Sequence, residues 1–293
     1  KTKRIDQTFY EGVDLGEEGS VGLINYMRTD SVRVSDSALA ETCQAIKSLY
    51  GKEYLPERPN VYKSKKAAQE AHEAIRPSSV IRTPKVVEQY LSTDQFKLYS
   101  LIWEQMMGSQ MVPAVIAQET VEILAGRFTF RATGSRVEFA GFLAASGRDE
   151  EQDNPLPELT KEEHLKLHKL DGTQHFTKPP ARFTDASLVK ALEERGIGRP
   201  STYAPIIATL TDRDYIRREG GSLIPTELGI LVTDILVKHF SKVLDFNFTA
   251  DLEEKLDLIE EGSVEWVSVV REFYTVFAEQ MTLAKDGIQT VKK

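Results

Sequence analysis

Gly22-Leu23-Ile24-Asn25-Tyr26-Met27-Arg28-Thr29-Asp30-Ser31 is the stretch from which the rest of the 293-residue chain is read. A phenol oxygen is normally protonated up to a pKa of about 10, so it becomes a nucleophile only where neighbours stabilise the phenolate or the charge building on its target. Arg28 follows Tyr26 by two positions, and Thr29, Asp30 and Ser31 add short polar groups. The planar guanidinium fork can reach two oxygens of one phosphate. The pattern points to attack by Tyr26 on a phosphodiester while Arg28 holds the phosphate. In a strand the two side chains share one face, and an ordinary amphipathic surface has the same spacing.

Leu23 to Ser31 closely resembles the active-site segment of bacterial type IA DNA topoisomerases. The resemblance implies that Tyr26 becomes joined to the 5′ phosphate of a broken single strand. Met27, where relatives often carry proline or histidine, is more like topoisomerase I than topoisomerase III or reverse gyrase. Asn25 stands in place of the commoner threonine, a departure that reads as minor.

Two further strings carry the same resemblance. Glu70-Ala71-His72-Glu73-Ala74-Ile75-Arg76-Pro77-Ser78 holds a histidine between two glutamates, which by itself is an ordinary surface arrangement. The resemblance places His72 and Arg76 near the nucleophile and the bound strand. There His72 would assist as a third catalytic residue, by bonding a phosphate oxygen or supporting proton movement, and Arg76 would hold phosphate. The other string, Arg195-Gly196-Ile197-Gly198-Arg199-Pro200-Ser201-Thr202-Tyr203, follows Lys178-Pro179-Pro180-Ala181-Arg182-Phe183. Its glycines let backbone amides approach an anion at a helix start, although a plain helix–helix turn looks the same. By resemblance Arg182, Arg195, Arg199, Ser201 and Thr202 contact single-stranded DNA. Tyr203 is suited either to stacking on a base or to core packing.

Composition sets the outer limits. An apolar fraction of 41% supports real cores, the length suggests two or three domains, and no run approaches the ~18 apolar residues of a membrane span. The single cysteine, Cys43, excludes an intrachain disulfide and fits a reducing cytoplasm. The net charge of −8 hides basic stretches over 58–82 and 178–218, with the acid gathered in 149–163 and 251–265. An acidic chain with basic grooves is compatible with DNA as a partner. His164 and His168 are four apart but lack a third ligand, so no metal site is expected. No phosphate-binding loop of the ATPase kind occurs.

The periodicity orders the chain. Ser35 caps a helix whose apolar face runs Leu39, Cys43, Ile46 and Leu49; Thr83-Pro84 opens another; a third follows Thr93 and buries Phe96, Tyr99, Trp103 and Met106. Ala125-Gly126-Arg127 turns a hairpin, and Gly220-Gly221 turns a smaller wing after two helices around Leu192 and Ile207. The expected fold is α+β and mainly helical. A helical domain over 1–112 carries the nucleophilic tyrosine, a β-rich arch or hinge covers 113–180, and a winged-helix-like helical domain over 181–293 contributes to a groove for single-stranded DNA. By resemblance these are parts of a toroidal type IA enzyme.

The same resemblance implies a Mg²⁺-assisted, ATP-independent isomerase of the bacterial cytoplasm and nucleoid, relaxing negatively supercoiled DNA. Its acidic metal-binding domain, with an Asp-x-Asp-x-Glu cluster, does not occur here, and Asp14, Glu17 and Glu18 have the wrong spacing. No cysteine-rich zinc ribbon occurs either. The chain therefore reads as a central portion, with Mg²⁺ ligands elsewhere in the intact enzyme and no cofactor of its own. Topoisomerase III and a non-catalytic single-stranded-DNA-binding fragment are the alternatives.

Overall fold

The computed structural model describes residues 2–27, 31–62, 73–147 and 154–287. It divides into two compact units, Lys1–Leu170 and Asp171–Lys293. Each is built mainly of helices with two-stranded ribbons, an α+β composition.

In the first unit α1 (Thr2–Glu11) leads into a short antiparallel ribbon, β1 (Val13–Asp14) with β2 (Ser20–Val21). After it come α2 (Asp36–Leu49), α3 (Pro84–Val87) and α4 (Thr93–Ser109). Helix α4 begins one residue earlier in effect than Thr93 suggests. Ser92 accepts from the Gln95 amide while the Gln95 side chain returns to the Ser92 amide, which satisfies two donors at the helix start.

Helix α4 organises the core because its aromatic side chains reach into two clusters. Tyr99 joins Phe9, Val13, Leu15, Leu23, Ile24 and Val87. One turn on, Trp103 joins Ile46, Val80, Met106, Met107, Met111 and Ala145. Their polar atoms are also used: the Tyr99 hydroxyl donates to the Arg82 carbonyl at 2.7 Å, and Trp103 Nε1 donates to the Val80 carbonyl at 2.9 Å. The segment before α3 is thus held by both clusters.

Helix α2 turns a different face inward from the one its apolar pattern suggests. Ala38, Thr42 and Ile46 are buried, Leu49 is exposed, and Cys43 lies between these extremes. Thr42 tolerates burial because its hydroxyl donates to the Ala38 carbonyl one turn back at 2.7 Å.

The hairpin is longer than its turn suggests. β3 (Val115–Ala125) and β4 (Phe128–Phe139) pair antiparallel from end to end. Gly126 supplies the left-handed turn conformation at φ 61°. Most of the ribbon's side chains remain accessible. Near its base, Asn154 and Ser135 exchange backbone hydrogen bonds of 3.0 and 2.9 Å.

In the second unit α5 (Asp185–Glu194) and α6 (Tyr203–Asp212) precede a ribbon of β5 (Ile216–Glu219) and β6 (Ser222–Pro225). This is the helix, turn, helix and wing order read from the sequence. Helices α7 (Glu227–His239), α8 (Phe246–Glu260) and α9 (Trp266–Gly287) follow. Phe240, Phe273 and Phe277 stack between α9 and the end of α7.

Phe9 is fully buried and meets the Tyr99 ring edge-on, with centroids 5.9 Å apart. Phe9→Ala is expected to destabilise the first unit by about 3–5 kcal/mol, since the cavity would open in a close-packed cluster. Denaturant unfolding followed by Trp103 fluorescence in a Trp266→Phe background measures this.

Candidate active site and glycine turn

The segment leading from β2 to Tyr26, with a single β-bridge at Ile24, is held by hydrogen bonds at nearly every residue. The Leu23 amide donates to the Phe9 carbonyl at 2.7 Å, so the segment is pinned to the last turn of α1. On its other edge Ile24 bridges Pro77. The Asn25 amide donates to the Arg76 carbonyl at 3.1 Å, and the Ser78 amide donates to the Leu23 carbonyl at 2.9 Å. Ser78 Oγ adds a bond to the Gly22 carbonyl at 2.6 Å. Two strings separated by some fifty residues are thereby joined side by side.

Asn25 locks this pairing. Its Nδ2 donates to the Ala74 carbonyl at 2.8 Å, and its Oδ1 accepts from the Arg76 amide at 3.0 Å. A carboxamide carries the required donor and acceptor together. The Asn25 side chain thus joins the segment of Tyr26 to the 74–76 segment, a role that reading it as a minor departure from threonine did not include. Nothing local to Asn25 signals this, because both partners are distant in sequence.

Burial then selects which side chains face outward. Leu23 and Ile24 enter the Phe9–Tyr99 cluster, with Met27 and Ile75 packed beside it, whereas Tyr26 is 53% exposed. Its ring meets Tyr10 of α1 in a T-shaped contact, centroids 5.5 Å apart and planes at 74°. The chemistry this permits is nucleophilic: an accessible phenol on a fixed backbone can meet a large substrate without remodelling the core. Ser31, at the end of the string, is buried and its Oγ accepts from the Arg33 amide at 3.2 Å.

Arg28 and His72 lie outside the described residues. Arg76 is described, and its guanidinium is already engaged. It binds Glu73 at 2.7 Å, donates to the Pro77 carbonyl at 3.0 Å, reaches Ser35 Oγ at 3.4 Å, and is only 15% exposed. In this arrangement Arg76 ties its own segment together and reaches the start of α2 at Ser35. Burial by itself raises the Glu73 pKa. The hydrogen bond and charge of Arg76 outweigh that, helped by Ser35 and Arg33, and hold the carboxyl below its ordinary value.

In the second unit Gly196 and Gly198 both adopt positive φ, 71° and 77°, as a tight turn between α5 and α6 requires. The turn does bind an anion, and the anion is internal. The Gly198 amide donates to Glu253 Oε1 at 3.0 Å. Arg199 forks onto Asp257, with Nη2–Oδ2 at 2.6 Å and Nε–Oδ1 at 3.4 Å, and lies 3.7 Å from Glu253. Its Nη1 donates to the Gly198 carbonyl at 2.8 Å. Glu253 and Asp257 sit four apart on α8, so they face the turn together. The sequence reading gathered them into a general acidic run and missed this role; their helical spacing opposite a glycine–arginine turn was the available signal.

The other expected strand contacts vary in setting. Thr202 Oγ1 accepts from the Arg199 amide at 2.8 Å, closing the turn. The Arg195 guanidinium lies over the Phe246 ring at 5.2 Å. Arg182 and Ser201 are exposed. Tyr203 is part-buried, and burial raises its pKa, a setting closer to packing than to stacking. Among the described residues no three His, Cys, Asp or Glu side chains converge as metal ligands, and no helix is long and apolar enough to cross a membrane.

Asn25→Ala is expected to cost about 1–3 kcal/mol, because a part-buried amide and carbonyl lose their partner. Faster hydrogen exchange at the Arg76 amide should accompany the loss. A separate expectation concerns pH. Since the folded Glu73 pKa lies below the unfolded one, its stabilisation is present above about pH 4.3 and drains away as the pH falls through the lowered value. Acid titration of thermal stability should show a shallower loss in Glu73→Gln, whose neutral side chain has no such proton to gain.

Comparison with known proteins fits this geometry to a family. The profile of a family described as DNA topoisomerase matches residues 1–271. Two Xylella fastidiosa proteins called DNA topoisomerase 1, from strains 9a5c and Temecula1, are each 47% identical over 298 aligned positions, covering 98% of this chain. The chain spans 37% of their length. Among solved structures, full-length topoisomerase I from Thermotoga maritima matches with a TM-score of 0.75 and 36% identity, over 95% of this chain and 45% of that one. The relatives agree with Met27 in favouring topoisomerase I over topoisomerase III. With the Tyr26 segment, its paired 74–78 segment and the α5–α6–β5–β6 unit inside the matched region, this chain belongs to the bacterial DNA topoisomerase family.

Proposed function

We propose that this chain is the strand-cleaving portion of a topoisomerase I, with Tyr26 as nucleophile and single-stranded, negatively supercoiled DNA as substrate. The observation that carries the reading is the exposed phenol of Tyr26 on a segment pinned at Leu23 and Asn25, within a chain 47% identical to proteins called DNA topoisomerase 1. Tyr26 gives up its phenolic proton as its Oη attacks the phosphorus of a backbone phosphodiester, and one proton is returned to the leaving oxygen. The P–O3′ bond breaks, the 3′ oxygen leaves, and the 5′ phosphate stays on the tyrosine. Attack by the same 3′ hydroxyl reverses these steps. One phosphoester replaces another, so resealing needs no ATP.

Phosphoryl transfer of this kind depends on positioning and on neutralising charge at the phosphate oxygens. Arg28 is proposed to supply that charge and His72 to assist a proton. Arg182, Arg195, Arg199, Ser201 and Thr202 are proposed to steady the strand; Arg199 would do so while held by Asp257. The Mg²⁺ implied by the family resemblance finds no fitting ligand set among the described residues, and no step is routed through it. Its ligands are proposed to lie in an acidic domain within the remaining length of the longer protein. Action on the bacterial nucleoid in the cytoplasm completes the reading.

The test mixes a labelled single-stranded oligonucleotide with the chain, with and without the remaining portion of a longer relative, and then denatures the mixture. A protein–DNA adduct that disappears in Tyr26→Phe is expected, with binding kept within about two-fold because the substitution removes one hydroxyl, and with affinity falling steeply as salt is added. Retention of the adduct in Tyr26→Phe overturns the assignment. Tight binding with no adduct under any condition favours a DNA-holding module.

A further inference from the structure

We propose that Tyr10 is a positioning residue for Tyr26, its ring restricting where the phenol of the nucleophile can point; the proposal rests on the reading of Tyr26 as nucleophile. The two rings meet edge to face, 5.5 Å between centroids, an arrangement favoured by the quadrupoles of aromatic rings. Tyr10 is 45% exposed, and it is Phe9 beside it that fills the core. The ring of Tyr10 thus covers the nucleophile more than it supports the fold.

The backbones on which the two rings stand are fixed to one another. The Phe9 carbonyl accepts the Leu23 amide at 2.7 Å, immediately before Tyr10 and three residues before Tyr26. Gly22 lies directly on the Tyr10 carbonyl: a Cβ there would stand 3.1 Å from that oxygen. Phe9 is in turn held edge-on by Tyr99. With both main chains fixed, the direction of the phenol is set by the side-chain torsions of Tyr26, which fall in discrete staggered wells at χ1. Swinging the ring to another well moves the terminal oxygen by several bond lengths, out of line with any leaving oxygen. A wall at Tyr10 favours the wells that keep the rings in contact, and the cleavage rate follows their population.

This predicts a specific pattern. The ring of Tyr10 matters and its hydroxyl does not, and the effect falls on the chemical step and not on strand binding. Tyr10→Ala should slow adduct formation at saturating oligonucleotide by about two- to thirteen-fold, the range spanned by measured aromatic-pair energies. Tyr10→Phe should restore the wild-type rate. The dissociation constant, measured in a Tyr26→Phe background so that no cleavage intervenes, should be unchanged in both.

The experiment follows single-turnover adduct formation in wild type, Tyr10→Ala and Tyr10→Phe, using the chain together with the remaining portion of a longer relative. Thermal unfolding of each variant separates a local effect from loss of the fold. A slow, normally folded Tyr10→Ala rescued by phenylalanine supports the proposal. Equal rates in all three overturn it while leaving Tyr26 as nucleophile. An equally slow Tyr10→Phe also overturns it, because the hydroxyl would then be the active group. No adduct from wild type overturns the reading of Tyr26 and this proposal with it.

Discussion

The candidate active site depends on the pairing of residues 22–25 with 74–78, closed by the side chain of Asn25. A phenol is useful for phosphoryl transfer only if its oxygen returns to the same place, and an exposed side chain gets no such constraint from core packing. The chain supplies it through the backbone. Leu23 and Ile24 bury their side chains, α1 takes one edge of the Tyr26 segment, and 74–78 takes the other. Arg76 and Glu73 then brace the second segment. Each interaction is modest alone, but they restrain the same few residues, so ordering one reduces the entropy lost in forming the next.

The glycine turn of the second unit solves a related problem in the opposite way. Backbone amides at positive-φ glycines, together with an arginine, form a site that attracts negative charge. Here Glu253 and Asp257 meet that demand from within the chain. Arg199 is consequently a braced residue, spanning the turn and α8, with its side chain still one-third exposed.

Local features were legible in the sequence where local chemistry decides them. Gly126 and Gly220-Gly221 marked two of the three ribbons, Thr83-Pro84 marked α3, and the spacing of Tyr99, Trp103 and Met106 marked the buried side of α4, whereas Phe96, read with them, is only partly buried. The face of α2 was misread because Thr42, a polar residue, satisfies its hydroxyl within the helix and so can take the buried position from Leu49. The family was legible through the string around Tyr26. The supports of that segment and of the glycine turn were not: the partners of Asn25 are 49 and 51 residues away, and those of Arg199 and Gly198 are 58 and 55 away. Periodicity carries no information at such separations. Similarly, a lone exposed tyrosine at the end of α1 gave no reason to pair Tyr10 with Tyr26.

The central claim is that the chain breaks DNA through Tyr26, and peptide mapping tests it most directly. A cleavage adduct formed on a single-stranded oligonucleotide would be trapped, digested with protease and nuclease, and sequenced by mass spectrometry. A nucleotide phosphate on the peptide containing Tyr26, and attached to that tyrosine, is the predicted result. The same mass on Tyr10, its ring neighbour, or on Tyr203 in the second unit would contradict the account.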